Sequence, residues 1–286
     1  MSTPQNFFAH RDASTPCREL LEWLTDVPIS RNGTDTARRQ LRAYPRHTYS
    51  FDVLLTKNAD KASLAALRAG ELFVVPLWCH AFERPATVAN AGVVGPTASP
   101  LVVALTPGSA GLLTAAQAFA WSEQYYIAAP AALGRPVADA RSISYITSGI
   151  QRTGVSFRLV DFKEVVSAYT GPTSAGLPTL TPFTENWVNP AEQIDVNSSG
   201  FDDGHLDLYD VRYMKRGFTL DLTLRGRAQI LEFRRLVFAL RGRLNPLRWA
   251  APGEAESTWR LASDGVEISY LRPNLATCQL SLTEIG

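Results

Sequence analysis

The densest run of chemically capable side chains is Asp202-Asp203-Gly204-His205-Leu206-Asp207-Leu208-Tyr209-Asp210, in which carboxylates surround one histidine. Such a run can hold a hard cation or exchange protons. Its spacing departs from a calcium loop, whose carboxylates and central glycine keep fixed offsets before a closing Glu. A solvated turn entering a strand through Leu206 and Leu208 accounts for it better. His10, His47 and His80 have no regularly spaced partners, so local spacing assembles no zinc site. Ser109, in Pro107-Gly108-Ser109-Ala110-Gly111, lacks the first glycine of a nucleophile elbow, and no phosphate- or dinucleotide-binding glycine loop follows a strand. Cys17, Cys79 and Cys278 stand far apart and are odd in number, which fits small buried hydrophobes rather than a disulfide framework or metal ribbon. The expectation is a chain that is not an enzyme, with no catalytic, cofactor-binding or metal-binding residues.

The elements that would position any site are clearer. From Arg46 to Leu55, Tyr49, Phe51, Val53 and Leu55 alternate with Thr48, Ser50 and Asp52, the period of a strand with one face on a core. Asn58 or Asp60 can cap a short helix, Leu64 and Leu67 share a face, and Gly70 stands where a left-handed residue ends it. A second strand, Leu72 to Trp78, follows. About 170 positions later the pattern returns: Phe218, Leu220, Leu222 and Leu224 alternate, Ile230, Phe233, Val237 and Leu240 follow at helical spacing, and Gly242 ends the helix. Pro246-Leu247-Arg248-Trp249 then matches Pro76-Leu77-Trp78 apart from one residue. Ile143-Ser144-Tyr145 precedes a strand carrying Val155, Phe157 and Leu159, as Ile268-Ser269-Tyr270 precedes one carrying Cys278, Leu280 and Leu282. This order predicts an internal duplication of a strand, helix, strand module.

The whole chain bounds the function classes. Its 286 residues suffice for two domains, 45% are hydrophobic and 19% charged, and the formal charge is +1. That balance gives no pull toward nucleic acid or an anionic membrane. The N-terminus lacks a basic start and an apolar signal segment, and no apolar run reaches spanning length, so synthesis and assembly in cytoplasm are expected.

Between Cys17 and Arg46 the sequence becomes specific. Arg38, Arg39, Arg42 and Arg46 suggest a helix whose arginines pair with carboxylates of this chain or a neighbour. Glu22-Trp23-Leu24-Thr25-Asp26-Val27, the Gly33-Thr34-Asp35 turn, Arg39, Leu41-Arg42 and Pro45-Arg46 resemble the opening of tail-tip proteins of long-tailed, non-contractile bacteriophages. Phe233 to Arg243, followed by Pro246 and Trp249, is similar to the same family, although Leu247 and Arg248 replace its usual aromatic. The resemblance covers about 20 to 80 and 205 to 250. It implies a mainly β, α+β fold: two tail-tube-like β-sandwich or split-barrel domains, each with one flanking helix.

The expected division is an N-terminal arm, 1–16, frayed or docked on a neighbouring subunit through Phe7 and Phe8; a first tube-like domain, 17–167; a Gly- and Pro-rich linker, 168–182; and a second tube-like domain, 183–286. Trp78 stands 65 residues before Ile143 while Trp249 stands 19 before Ile268, so the first copy should carry a small β insert at about 82–139. The resemblance further implies a structural virion protein of the tail tip or baseplate. Three two-domain chains would offer six quasi-equivalent positions to a sixfold tube, joining distal tail to central hub. A hexameric distal tail ring is the close alternative. Partners would be further copies of itself, the tube or distal tail, the hub and the tape measure, with transient DNA contact in the channel. A receptor- or carbohydrate-binding module, using Trp121, Tyr125 and Tyr126, is the alternative of a different class.

Overall fold

The computed structural model describes residues 5–7, 10–12, 14–27, 38–55, 61, 64–65, 67, 70–77, 82–85, 113–120, 125–137, 143–160, 162, 164, 166–174, 176–180, 184–187, 191–194, 214–251, 253–272 and 274–285. Among them the chain is mainly β, with seventeen strands in one large, chiefly antiparallel sheet and one regular helix, Arg227–Leu240.

Alternation in the sequence becomes two unlike sheet faces. In Arg46–Leu55, His47, Tyr49, Phe51, Val53 and Leu55 are buried and the residues between them are not. Thr153, Val155, Phe157 and Leu159 of Gln151–Leu159 are buried beside them, as are Phe218, Leu220, Leu222 and Leu224 of Met214–Arg225. Each such side chain contributes roughly 1.5–3 kcal/mol when fully buried, so a one-residue slip in register would forfeit a whole row. The opposite face carries short polar groups: Ser50 and Ser156 bond at 2.7 Å, and Gln279 donates to Asp221 at 2.9 Å.

The same pairing recurs in both halves, residue for residue. Phe51 lies opposite Val155 and Val53 opposite Thr153; Leu220 lies opposite Leu280 and Leu222 opposite Cys278. Ile143 and Tyr145 face Thr153 and Gln151, as Ile268 and Tyr270 face Cys278 and Ala276. Gly134 pairs with Leu159 and Phe73, whereas Trp259 pairs with Glu284 and Leu247. Two expected equivalences shift on this evidence. Val155 corresponds to Leu280 rather than Cys278, and Phe73, not Leu77, corresponds to Leu247. The two Pro-Leu marks therefore fall at unlike places, Pro76 closing the Phe73–Pro76 strand in one half and Leu247 opening Leu247–Ala250 in the other, while Trp78 lies outside the described residues.

One strand joins the halves. Cys17–Glu22 pairs with Arg46–Leu55 on one edge and with Gly265–Arg272 on the other, so the sheet runs unbroken from first half to second. In the second half Ala191–Ile194 holds the place of Cys17–Glu22: Ala191 faces Gly217 as Leu20 faces Thr48.

Other expectations change. The arm is part of the chain's own fold: Gln5–Asn6 pairs with Phe73–Val74, and Phe7 is buried against Phe51 and Phe157, because an aromatic gains more by burial than by fraying. The arginine-rich stretch is not helical where it is described; Arg39–Gln40 pairs as a short strand with Thr25–Asp26. The linker is packed, with a Thr173–Ser174 and Leu177–Pro178 hairpin, a buried Leu180 and Tyr169 Oη donating to Thr179 O at 2.8 Å. The insert contains strands Phe82–Pro85 and Leu113–Ala120, but its last strand, Tyr125–Pro136, runs into the repeated module through Gly134.

The helix lays Ile230, Phe233, Arg234, Leu236, Val237 and Leu240 on the buried side of the sheet. It ends through Arg241 and Gly242 at positive φ, and a Cβ at Gly242 would lie 2.5 Å from Asp264 Oδ1, so only glycine fits. In the first half Leu64 and Leu67 are buried and Gly70 has φ +89, while much of the expected helix lies outside the described residues.

Candidate functional site

The groups capable of chemistry converge under the joining strand. Cys17–Glu22 turns Cys17, Glu19 and Leu21 to the buried side, and the adjoining strands place His47, Tyr49 and Tyr270 on that side too. Helix spacing sets Arg234 beside Phe233 and Val237, facing the same point, and Glu164 follows the Gln151–Leu159 strand into it. Arg234 forms ion pairs with Glu19 and Glu164, and its Nη1 donates to Tyr270 Oη at 2.8 Å. Tyr49 and Tyr270 donate to Glu19 at 2.8 and 3.1 Å, and His47 Nδ1 lies 3.0 Å from Glu19 Oε1. His47 Nε2 is 3.9 Å from Glu164, and its ring packs edge-on against Phe162.

Glu19, His47 and Glu164 bring one ligand atom each within 4.8 Å of the others, the composition of a metal centre. A guanidinium already serves as their cation. Burial works against a charged Arg234, but Glu164, Glu19 and Tyr270 hold its proton far above the usual arginine range. With Glu19 wholly buried and Arg234 and His47 nearly so, these groups neutralise one another rather than face a substrate. The arrangement is a polar lock between halves, supplied by Glu19, His47 and Glu164 from one and by Arg234 and Tyr270 from the other.

A second tie lies at the end of the same strand. Asp264 accepts from Thr25 N at 2.7 Å, Thr25 Oγ1 at 2.8 Å and Arg243 N at 2.9 Å, while Trp23 N donates to Asp264 O at 3.0 Å. Burial pushes the Asp264 carboxyl up, yet the hydrogen bonds from Arg243 and Thr25 and the Arg243 charge leave it below the ordinary value. A depressed carboxylate stabilises the fold in full well above its unfolded pKa of 3.8, and that contribution fades as pH falls toward the lower folded value. Asp264→Asn should therefore cost about 1–2 kcal/mol at neutral pH. The gap from the parent protein should close as denaturation is followed to progressively lower pH.

The third feature is the open sheet face. Across both halves it presents Thr48, Ser50, Asp52, Ser156, Thr219, Asp221, Gln279 and Ser281, with Arg18, Arg158 and Glu267 exposed among them. It is polar and of mixed sign, its long side chains set among short ones.

Of the residues singled out in the sequence for their chemistry, His47 alone enters the lock. His10 sits in a short strand opposite Leu54, and Tyr125 and Tyr126 lie opposite Pro85 and Arg84. Cys17 and Cys278 are buried and not joined in a disulfide, and burial pushes the Cys278 thiol up, away from the reactive thiolate. Cys79, His80, Ser109, Trp121 and the Asp202 to Asp210 run lie outside the described residues. Sequence reasoning missed Glu19, Glu164, Arg234 and Tyr270 as a group. The available signal was an acid at Glu19 and a histidine at His47 on the apolar side of strands of period two. The chain matches no protein-family model and no curated protein.

Proposed function

We propose that this chain is a structural protein of a phage tail tip, forming a ring that continues the tail channel and joins distal tail to central hub. The observation that carries the reading is the repeated register: two β modules of one pairing scheme, linked edge to edge by Cys17–Glu22. The sequence resemblance to tail-tip proteins supports it independently. Modules joined through sheet edges continue naturally into a closed circle, and three chains supply six positions to a sixfold tube. In this reading each module is a tube-like β-sandwich or split barrel with its flanking helix, and the polar sheet face lines the channel. Short Ser, Thr, Asp and Gln side chains there, with Arg18 and Arg158 offset by Asp52, Asp221 and Glu267, would give passing DNA a face of mixed sign rather than a basic one to hold it. The protein would reside at the virion tail tip after assembly in the host cytoplasm, act without a cofactor, and carry the β insert as decoration.

The polar lock suits such a part. It sets the angle between successive modules, and angular error accumulates around a ring. Molecular mass in solution, by light scattering, tests the reading. Three copies are expected, six would favour the distal tail alternative, and a monomer throughout the soluble range would contradict ring formation.

A further inference from the structure

One triplet occurs twice in equivalent places with opposite burial. Ile268 is 0% and Tyr270 2% exposed, whereas Ile143 is 44% and Tyr145 73% exposed, with Ile146 beside them at 47%. Both triplets pair in the same register with the strand that follows them. They differ at the other edge. Gly265–Arg272 carries Cys17–Glu22 there, which continues to Arg46–Leu55; Ile143–Tyr145 pairs, among the described residues, with Gln151–Thr153 alone.

The buried copy thus displays the kind of strand that covers this edge: the leading strand of the next module. In the second half that leading strand is Ala191–Ile194, paired among the described residues with Met214–Gly217 alone. Among the described residues this leaves one uncovered acceptor edge and one uncovered donor edge, each the counterpart of a partner already joined within the chain. We infer that the Ile143–Tyr145 edge of one copy receives the Ala191–Ile194 strand of a second copy, repeating the internal joint between chains. This names the interface of the ring proposed above and rests on that reading. The contact is head to tail, which closes into a ring when the rotation permits and removes both edges from solvent.

The internal joint also fixes the register. Ile268 faces Glu19, with Leu21 two residues along on the same side. Ile143 corresponds to Ile268, and Glu192, opposite Arg216 as Leu21 is opposite His47, corresponds to Leu21. Ile143 of one copy should then lie diagonally across from Glu192 of the next, a separation of about 7–8 Å. A short bis-maleimide spans that distance.

The test uses the full-length chain with Ile143→Cys and Glu192→Cys as separate variants, the native thiols being common to both. Mixing the two is expected to yield covalent dimers that neither variant forms alone, and the double variant a ladder that stops at the ring size. An oligomer by mass without this cross-link, or cross-linking of Ile143→Cys alone, would overturn the joint while leaving the ring standing. A monomer across the soluble range would remove the ring reading and the joint with it.

Discussion

Arg234→Met is expected to destabilise the protein by about 3–5 kcal/mol, because it removes the buried guanidinium from two carboxylates while filling similar space. Glu19 would keep its contacts with Tyr49, Tyr270 and His47, and Glu164 would lose its ion pair with the guanidinium. The loss should be read by denaturant unfolding as a lower midpoint. A first transition that separates the halves would be expected wherever unfolding ceases to be two-state, because the lock spans the seam. Arg234→Lys should recover only part of the loss, since a point charge cannot bridge Glu19, Glu164 and Tyr270 together. A change below about 1 kcal/mol for Arg234→Met would mean that the seam is held by its backbone pairing and apolar contacts instead.

Trp259→Ala should cost a similar amount, about 3–5 kcal/mol, by a different mechanism. Trp259 is wholly buried, packs edge-on against Phe218 and Trp249 with ring centroids 5.3 Å away in each case, and donates its indole N–H to Trp249 O at 3.1 Å. Truncation opens a cavity and removes the indole hydrogen bond to that carbonyl. Thermal unfolding of Trp259→Ala beside Trp259→Phe separates the two parts: phenylalanine restores most of the volume and none of the hydrogen bond.

The contrast with the first half explains why the repeat is faint in the sequence. Gly134 takes the place of Trp259, and a Cβ there would already lie 3.1 Å from Val75 and 3.2 Å from Phe157. The first core is filled from elsewhere, by Phe7 of the N-terminal segment against Phe51 and Phe157. Volume is conserved across the module while the positions supplying it are not, so matched residues share hydrophobicity and seldom identity.

What was legible followed from local physics. Alternation through Tyr49, Phe51 and Val53 and through Leu220 and Leu222 marked the buried faces, and helical spacing from Ile230 to Leu240 marked the flanking helix. The recurrence of these elements was visible because order survives where identity drifts. The details that failed depend on contacts far apart in the chain. Pro76-Leu77-Trp78 and Pro246 to Trp249 look alike yet start at different points of their strands, which only pairing with Gly134 and Trp259 reveals. Glu19 and Arg234 are separated by 215 residues, so no spacing rule could bring them together. The linker reads as loose because Gly171, Pro172, Gly176 and Pro178 have no period, although its hairpin and Leu180 pack on the second half.

In the proposed ring, two copies of one β module within each chain occupy successive places around a closed circle. Electron micrographs of the purified assembly, averaged in views along its axis, test this most directly. Six lobes around an open channel from three chains are expected, with threefold symmetry and near-sixfold appearance. Separate particles of one chain, twofold dimers, or filaments that never close would contradict it.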